Sequence, residues 1–191
     1  MQRWDIINAF IRKYNYKSYL EIGTQHGTCF KEVKCDHKVC VDIKKDFDKL
    51  TYEMSSDDYF KKFSDKFDII FVDGLHTEEQ TIKDIANSLV ALNEGGTIIA
   101  HDCLPDSEGA TTLGFCGTSY MAPIWFRTSV ANVTVQVVDT DTGCAIIRRG
   151  NNNLYTKTYY EEAKQYKYFA ENKKDLVNVL TVDEFKSLIN S

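Results

Sequence analysis

The segment from Tyr19 to Gly27 constrains the fold of this chain more than any other stretch. It reads Tyr-Leu-Glu-Ile-Gly-Thr-Gln-His-Gly, which is typical of a buried strand that ends in an acidic residue and a glycine turn. Gly27 follows Gly23 by four residues, at the point where a helix should begin. A strand, a glycine turn and a helix in this order predict a Rossmann-like sheet, in which backbone approaches a ligand closely.

The acidic residue before the turn, Glu21, narrows the class of ligand. Dinucleotide-binding turns usually read Gly-x-Gly-x-x-Gly and present a helix N-terminus to a pyrophosphate. A carboxylate at this point repels a phosphate and suits a cationic or hydroxyl-bearing ligand. The segment therefore favours a ligand other than a dinucleotide.

Strands and helices alternate along most of the chain, as judged from the spacing of apolar residues. The predicted strands cover residues 18–22, 38–43, 51–54, 67–72, 97–100, 133–138 and 144–148. The predicted helices cover residues 4–11, 28–33, 46–50, 56–63, 120–128, 155–171 and 182–189, with a short strand at 176–180. This alternation predicts an α/β fold with a doubly wound, mostly parallel sheet that ends in a C-terminal antiparallel hairpin.

The clearest helix begins after Thr77, which is a good N-cap and has Gln80 three residues on, the pattern of a capping box. Its apolar stripe consists of Ile82, Ile85, Ala86, Leu89 and Leu92. Gly95 and Gly96 are expected to end the helix and lead into the next strand.

Length and composition favour one domain at residues 1–150, followed by a C-terminal helical appendage at 151–191. The appendage is expected to pack on the sheet, cover the site or form a homodimer contact. With 23 basic and 28 acidic residues the net charge is −5, so no nucleic-acid partner is expected. No apolar run approaches the ~20 residues of a membrane span, and no signal peptide is apparent. Six scattered cysteines without a Cys-x-x-Cys pair indicate reduced thiols and a cytoplasmic location.

Acidic or polar side chains follow all five predicted parallel strands. They stand in Glu21-Ile22-Gly23, Asp42, Ser55-Ser56-Asp57, Asp73-Gly74-Leu75-His76 and His101-Asp102-Cys103. Because ligands of open parallel sheets bind beyond the carboxyl ends of the strands, these residues are the candidate site.

Four ordered segments also carry a resemblance to a known family. They are Leu20 to Gly27, Val41-Asp42, Phe71 to His76 and Gly95 to Pro105. Together they resemble the class I S-adenosylmethionine-dependent methyltransferases, most closely a small bacterial and viral group with Val-Asp-Gly-x-His and His-Asp strand ends. The resemblance covers residues 18 to 148 and implies S-adenosylmethionine as the cofactor.

The cofactor-binding residues that the resemblance implies are Glu21, Gly23, Thr24, Gly27, Asp42, Ser56, Asp57 and Asp73. The glycine turn would lie under the methionine part, with Glu21 near the amino group and Asp73 on the floor between cofactor and acceptor. Asp42 suits two ribose hydroxyls, and Ser56 with Asp57 suits the adenine amino group. The alternative for these last three residues is helix capping.

His76, Asp73 and His101 are the candidate catalytic residues, with His76 as the base that takes the acceptor's proton. In catechol-type O-methyltransferases, which this region resembles, acids at two strand ends hold a magnesium ion. That resemblance implies a divalent metal on Asp73 and Asp102, although His101 is a softer ligand than magnesium prefers. The alternative is that His76 caps the following helix and His101-Asp102 braces the loop.

The predicted function is S-adenosylmethionine-dependent methylation of a hydroxyl on a small molecule or a glycan, base-assisted and with magnesium as an optional aid. Two alternatives stay open. One is an NAD-dependent oxidoreductase on a similar sheet. The other is a non-catalytic scaffold subunit that binds S-adenosylmethionine. Residues 104–118 hold three glycines and are expected to form a flap over the acceptor.

Overall fold

The computed structural model describes residues 1–151 and 160–191 as one mixed eight-stranded sheet covered by helices. The strands are β1 Ser18–Ile22, β2 His37–Asp42, β3 Tyr52–Glu53, β4 Phe67–Val72, β5 Leu92–Ala100, β6 Val133–Val138, β7 Cys144–Arg149 and β8 Val179–Leu180. The helices are α1 Arg3–Tyr14, α2 Thr28–Glu32, α3 Ser56–Lys62, α4 Glu78–Ala91, α5 Met121–Ser129, α6 Tyr160–Ala163, α7 Tyr166–Val177 and α8 Val182–Asn190, with a 3₁₀ turn at Glu108–Thr111.

The strand order is β3-β2-β1-β4-β5-β7-β6-β8. The first five strands run parallel, β7 is antiparallel to both β5 and β6, and β8 pairs parallel with β6. The predicted α/β class, the doubly wound sheet and the antiparallel hairpin are confirmed.

The centre of the sheet is apolar on both faces because helices cover both. In β4 all residues except Asp68 are buried, which explains the nearly continuous apolar run in that strand. The side chains on the two faces of the sheet form two separate clusters of buried residues. One cluster includes Leu20 and Ile70, and the other includes Tyr19 and Ile69, as expected for side chains that alternate across a strand.

The register of the central strands brings their carboxyl ends to one edge. Ile22 of β1 lies beside Val41 of β2 and Val72 of β4. Backbone hydrogen bonds continue one residue further, from Gly23 N–H to the Val41 carbonyl (2.9 Å) and from Asp73 N–H to the Ile22 carbonyl (2.8 Å). These hydrogen bonds therefore fix the backbone of the first residues after β1 and β4.

Several predicted elements differ from the structure. Residues 46–50 form no helix but a turn closed by Leu50 N–H on the Phe47 carbonyl (3.0 Å), because Phe47 is buried beneath Gly27. Strand β5 begins at Leu92, not at Thr97, because Leu92 already pairs with Phe67 of β4. The helix predicted at 155–171 is two helices, α6 and α7, in its described part, and residues 155–159 lie outside the described residues.

Helix α4 has its predicted N-cap but not its predicted capping box. Thr77 accepts the Gln80 N–H (3.3 Å), whereas the Thr77 N–H is already taken by the Leu75 carbonyl (2.7 Å). The Gln80 side chain therefore turns away from the cap. Ala86 of the predicted apolar stripe is exposed, since the face centred on Ile85 is the buried one.

The C-terminal segment packs on the sheet and on α1. Asn178 takes a left-handed conformation that ends α7, so only β8 forms from the strand predicted at 176–180. Phe185 of α8 lies against Phe10 of α1, with ring centroids 6.1 Å apart. The boundary at residue 150 stays a prediction. None of the described helices is both long enough and apolar enough to cross a membrane.

Candidate functional site

A cavity of about 1070 Å³ opens at the carboxyl ends of the parallel strands. Its walls hold residues from the ends of β1, β2, β4 and β5, from the start of α3, from the flap at 104–118 and from the turn between β6 and β7. The candidate site residues on these walls are Gly23, Asp42, Ser56, Asp57, Asp73, His76, His101 and Asp102. Strand ends that are distant in the sequence thus share one cavity.

Gly23 takes a positive φ of 83° and leaves no space for a side chain. A Cβ at Gly23 would lie 2.0 Å from the Asp73 carbonyl oxygen, so the turn after β1 fits closely against the end of β4. Gly27 also has a positive φ, 71°, and a Cβ there would meet the Phe47 ring at 2.8 Å. The two glycines of the turn are therefore required by backbone conformation and by close approach.

Glu21 and Thr24 face a second, smaller cavity of about 70 Å³ beneath the glycine turn. The Glu21 carboxylate is buried and accepts a short hydrogen bond from the Tyr19 hydroxyl. Burial raises the pKa of Glu21 to about 8, because the loss of hydration outweighs the hydrogen bond from Tyr19. Arg3, Gly23, Gln25 and Asp73 line both cavities, so the small cavity adjoins the large one.

Asp42, at the end of β2, connects two loops of the cavity wall through hydrogen bonds. Its Oδ2 accepts the Gln25 N–H (2.7 Å), and its Oδ1 accepts the Lys44 N–H (3.0 Å). These bonds fix the carboxylate at the cavity wall while leaving further acceptor capacity on both oxygens. Asp42 therefore braces two loops and caps no helix.

Ser56 and Asp57, at the start of α3, add polar side chains to the cavity wall and do not cap the helix. Ser55 is the N-cap and accepts the Asp58 N–H at 3.1 Å. Ser56 Oγ and Asp57 Oδ1 instead accept hydrogen bonds from Gln80 Nε2, at 3.3 and 3.1 Å respectively. The helix-capping alternative for Ser56 and Asp57 is thus not what the structure has, because Ser55 takes that place.

Asp73 lies at the centre of the site and is held from three sides. Its Oδ2 accepts Arg3 Nη1 (2.8 Å), while its Oδ1 lies 3.2 Å from His101 Nδ1 and 3.5 Å from His76 Nε2. Burial alone would raise the pKa of Asp73, but the charges and hydrogen bonds of His101, His76 and Arg3 hold it well below its usual value. Asp73 is therefore a fixed anion.

His101 is a buried cation among carboxylates. Besides Asp73, it lies 3.3 Å from Asp102 Oδ1 through Nδ1, and 3.6 Å from Asp141 Oδ1 through Nε2. Burial alone would lower the pKa of His101, but the charge of Asp73 and hydrogen bonds to Asp102 and Asp141 raise it well above its usual value. Thr142 completes the network, since its hydroxyl donates to Asp102 (2.6 Å).

His76 stands between Asp73 and Asp102 at the cavity wall. Its Nδ1 makes a short hydrogen bond to the Phe115 carbonyl and lies 3.3 Å from Asp102 Oδ2. A carbonyl only accepts, so Nδ1 carries a proton and Nε2, near Asp73, is the nitrogen that titrates. The hydrogen bond to Asp73 raises the pKa of His76, against the opposing effect of burial. Thr77, not His76, caps α4.

The flap at 104–118 is tied to the residues just after β4. The Thr118 N–H donates to the His76 carbonyl (3.0 Å), and the Thr118 hydroxyl accepts the Glu78 N–H (2.7 Å). Leu113 and Phe115 of the flap are each 66% exposed, and Phe115 also lines the cavity. The flap therefore forms part of the wall of the large cavity next to His76.

Four further cavity residues lack a sequence signal. Arg3 is distant in the sequence from every predicted strand end, and the position of Gln80 after Thr77 indicates only a helix cap. Asp141 and Thr142 stand in a hairpin turn, where Asp and Thr are ordinary turn residues. Only their proximity in space assigns them to the site.

Asp73, His76 and Asp102 present ligand atoms within 4.8 Å of one another and could hold a divalent ion. Their fit to magnesium is poor, because magnesium prefers oxygen ligands and one of the three donors is a nitrogen. Both oxygens of Asp73 are also engaged, Oδ2 by Arg3 and Oδ1 by His101. Magnesium on Asp73 and Asp102 stays a prediction.

The sheet order, the antiparallel hairpin and the cavity at the strand ends have the arrangement of the class I, Rossmann-like methyltransferases. The family comparison agrees with this class, since residues 20–103 match the model of a methyltransferase domain. Residues 20–103 therefore match a methyltransferase domain, and the fold is similar to that of an S-adenosylmethionine-bound O-methyltransferase. The comparison with curated protein sequences finds no match.

Solved structures with a similar fold include several methyltransferases. The O-methyltransferase TomG from Streptomyces achromogenes, in complex with S-adenosylmethionine, has a TM-score of 0.59 at 15% identity, covering 78% of this chain and 80% of its own. An O-methyltransferase from Bacillus cereus, in complex with S-adenosylhomocysteine, has a TM-score of 0.56 at 11% identity, covering 77% and 80%. The S-adenosylhomocysteine-bound methyltransferase PaMTH1 from Podospora anserina has a TM-score of 0.53 at 16% identity, covering 78% of each chain. At these identities the likeness shows the fold.

Proposed function

We propose that the chain transfers the methyl group of S-adenosylmethionine to a hydroxyl oxygen of a small molecule. The observation that carries this proposal is the shared cavity, which joins the glycine turn and Asp42 to Asp73 and His76. Its volume of about 1070 Å³ accommodates a nucleoside-sized donor together with a small acceptor. The O-methyltransferases of similar fold support the choice of oxygen as the accepting atom.

The donor is assigned to the side of the cavity formed by β1, β2 and α3. The turn at Gly23 has no room for a side chain, and it passes directly beneath the cavity wall. We assign Glu21 to the donor's amino group and Asp42 to its ribose hydroxyls. Ser56 and Asp57 are assigned to the adenine amino group. The bound donor supplies an electrophilic methyl carbon.

The acceptor is assigned to the side formed by His76, Asp102 and the flap. His76 Nε2 takes the proton of the acceptor hydroxyl as its oxygen gains the methyl group. Asp73, which lies 3.5 Å from that nitrogen, stabilises the imidazolium that forms. His101 and Asp102 are positioning residues in this mechanism, because they act on the acceptor through Asp73 and His76.

A divalent ion on Asp73, His76 and Asp102 would lower the pKa of the acceptor hydroxyl. The mechanism above does not depend on such an ion. Methyl transfer measured after chelation and after adding Mg²⁺, Mn²⁺ or Zn²⁺ tests this part separately. Sugar hydroxyls fall within the proposed acceptor class, while a homodimer and a cytoplasmic location stay predictions.

Ligand-dependent thermal unfolding tests the proposal against its alternatives. At about 100 times its Kd, S-adenosylhomocysteine should add about 2.7 kcal/mol to the free energy of unfolding and raise Tm by about 5–10 °C. NAD at the same concentration should leave Tm unchanged. A shift with NAD alone would favour the oxidoreductase alternative. A shift with S-adenosylhomocysteine but no methyl transfer to any acceptor in a broad hydroxyl panel would favour the scaffold alternative.

A further inference from the structure

Arg3, the first residue of α1, reaches into the site from the far end of the chain. Its Nη1 donates to Asp73 Oδ2 (2.8 Å), and its Nε and Nη2 donate to the two oxygens of Asp141 (2.9 and 3.0 Å). The Arg3 N–H also donates to Asp141 (2.8 Å). The guanidinium is therefore held in one orientation before any ligand binds.

The position of Arg3 is the junction of the two cavities. Among the described residues that line the small cavity, Arg3 is the only arginine or lysine. In the large cavity the described lining adds only Lys44, which follows β2 and so lies on the opposite side of β1 from Asp73. Any anionic group bound beside the glycine turn would therefore meet Arg3.

The hydrogen bonds of Arg3 leave donors available. A guanidinium has five N–H groups, and Asp73 and Asp141 accept three of those in Arg3. The two that remain belong to the two terminal nitrogens, one on each. A pair of donors on adjacent nitrogens is the arrangement that binds a carboxylate bidentately.

The amino-acid end of the proposed donor carries an ammonium and a carboxylate on one carbon. The fixed anion Asp73 near the glycine turn suits the ammonium, but it would repel a neighbouring carboxylate. Arg3 is the group at this junction that can neutralise it. The short chain between the two charges of the ligand matches the close placement of Arg3 and Asp73.

We propose that Arg3 binds the α-carboxylate of the methyl donor and so selects donors that carry an intact amino-acid end. This inference rests on the proposed function, since it assumes that the donor occupies the glycine-turn side of the cavity. The bonds to Asp73 and Asp141 pre-organise the guanidinium, so little side-chain entropy is lost when the carboxylate binds.

The test compares two ligands in two proteins by isothermal titration calorimetry. One ligand is S-adenosylhomocysteine, and the other is its decarboxylated analogue, which keeps the amine and lacks the carboxylate. The wild-type protein should bind S-adenosylhomocysteine roughly 10- to 100-fold more tightly than the analogue, as a charge-assisted bidentate contact implies. Arg3→Met should abolish that ratio, chiefly by weakening S-adenosylhomocysteine.

Arg12→Met is the matched control, because Arg12 is an exposed arginine on the same helix and lines neither cavity. It should keep the wild-type ratio. Arg3→Lys, which retains the charge without the fork, should give an intermediate ratio and serves where Arg3→Met fails to fold.

Each outcome of this comparison either supports or overturns the inference about Arg3. A wild-type ratio near one overturns the inference without any variant. An Arg3→Met protein that keeps the ratio while weakening both ligands equally shows a purely structural role and also overturns it. If the wild-type protein binds neither ligand, the proposed function itself fails, which is a different result from tight binding with no dependence on the carboxylate.

Discussion

The two halves of the cavity are built in different ways. On the proposed donor side, the walls come from residues that follow β1, β2 and β3, and backbone geometry decides their place. On the proposed acceptor side, Asp73, His76 and His101 form a network of charges with Arg3 and with the turn between β6 and β7. Local sequence sets the donor side, whereas contacts between distant segments set the acceptor side.

This difference teaches which kind of substitution each half tolerates. The donor side depends on close backbone approach, so an added methyl group should damage it most. The acceptor side depends on compensated buried charge, so removal of one partner should damage it through the groups left behind. The expected effects below run from the largest to the smallest.

Replacing Gly23 by alanine should cause the largest loss of stability. The new Cβ would lie 2.0 Å from the Asp73 carbonyl oxygen at a positive φ, and we expect a loss of about 5 kcal/mol in the free energy of unfolding. Gly95→Ala is the control, because Gly95 has a similar φ of 73° with no atom within 4 Å of the added Cβ. Its expected loss is about 1 kcal/mol in urea unfolding. Equal losses would mean that the close approach of β1 and β4 is not what requires glycine.

Replacing His76 by glutamine should act on catalysis and not on donor binding. We expect kcat to fall about 10³-fold, within the usual range for loss of a general base, with the Kd for S-adenosylhomocysteine unchanged. Exposed His37 lies at the opposite end of the sheet, and His37→Gln should leave both quantities as they are. A His76→Gln enzyme with nearly normal kcat would remove His76 as the base.

The buried carboxyl of Glu21 should make stability depend on pH. Its pKa is raised from 4.5 to about 8 in the folded chain, so folding favours the protonated form. The stabilisation is complete below pH 4.5 and is lost progressively as pH rises to about 8, and the loss between pH 5 and pH 9 is at most about 4 kcal/mol. Urea unfolding between pH 5 and pH 9 should show a steeper fall for the wild-type protein than for Glu21→Gln.

Glu32→Gln is the matched control for Glu21, because Glu32 is exposed at the end of α2. It should keep the wild-type slope. A Glu21→Gln protein with that same slope would contradict the assignment of the pH dependence to Glu21.

Replacing Asp42 by asparagine should have the smallest of these effects. The loop bonds from Gln25 and Lys44 lose one ionised acceptor, and the proposed ribose contact loses its charge. We expect the Kd for S-adenosylhomocysteine to rise about 10-fold, equivalent to about 1.4 kcal/mol. Asp48→Asn, at an exposed position outside the cavity, should leave the Kd unchanged. Identical Kd values for both variants would remove Asp42 from the donor site.

The contrast between the two halves of the cavity also explains how much of the fold and the site could be predicted from the sequence. Strands β1, β4 and β6 match their predicted bounds, because each has an apolar pattern bordered by clear turn residues. The positions of Gly23 and Asp42 at the strand ends followed from the same local pattern. The position of these residues on the proposed donor side was therefore largely predictable.

The acceptor side was predictable only in part. The sequence placed Asp73, His76, His101 and Asp102 at strand ends, but it gave no reason to bring Arg3 or Asp141 to them. Those two meet Asp73 and His101 across 70 and 40 residues of chain, respectively, through the packing of α1 and the hairpin on the sheet. Long-range ion pairs of this kind leave no local pattern.

A crystal structure with S-adenosylhomocysteine tests the central claim most directly. The account predicts the ligand in the large cavity, with its amino-acid end beside Gly23 and Arg3, its ribose on Asp42 and its sulfur facing Asp73 and His76. Density for the ligand elsewhere, or an empty cavity at a ligand concentration far above the measured Kd, would contradict it.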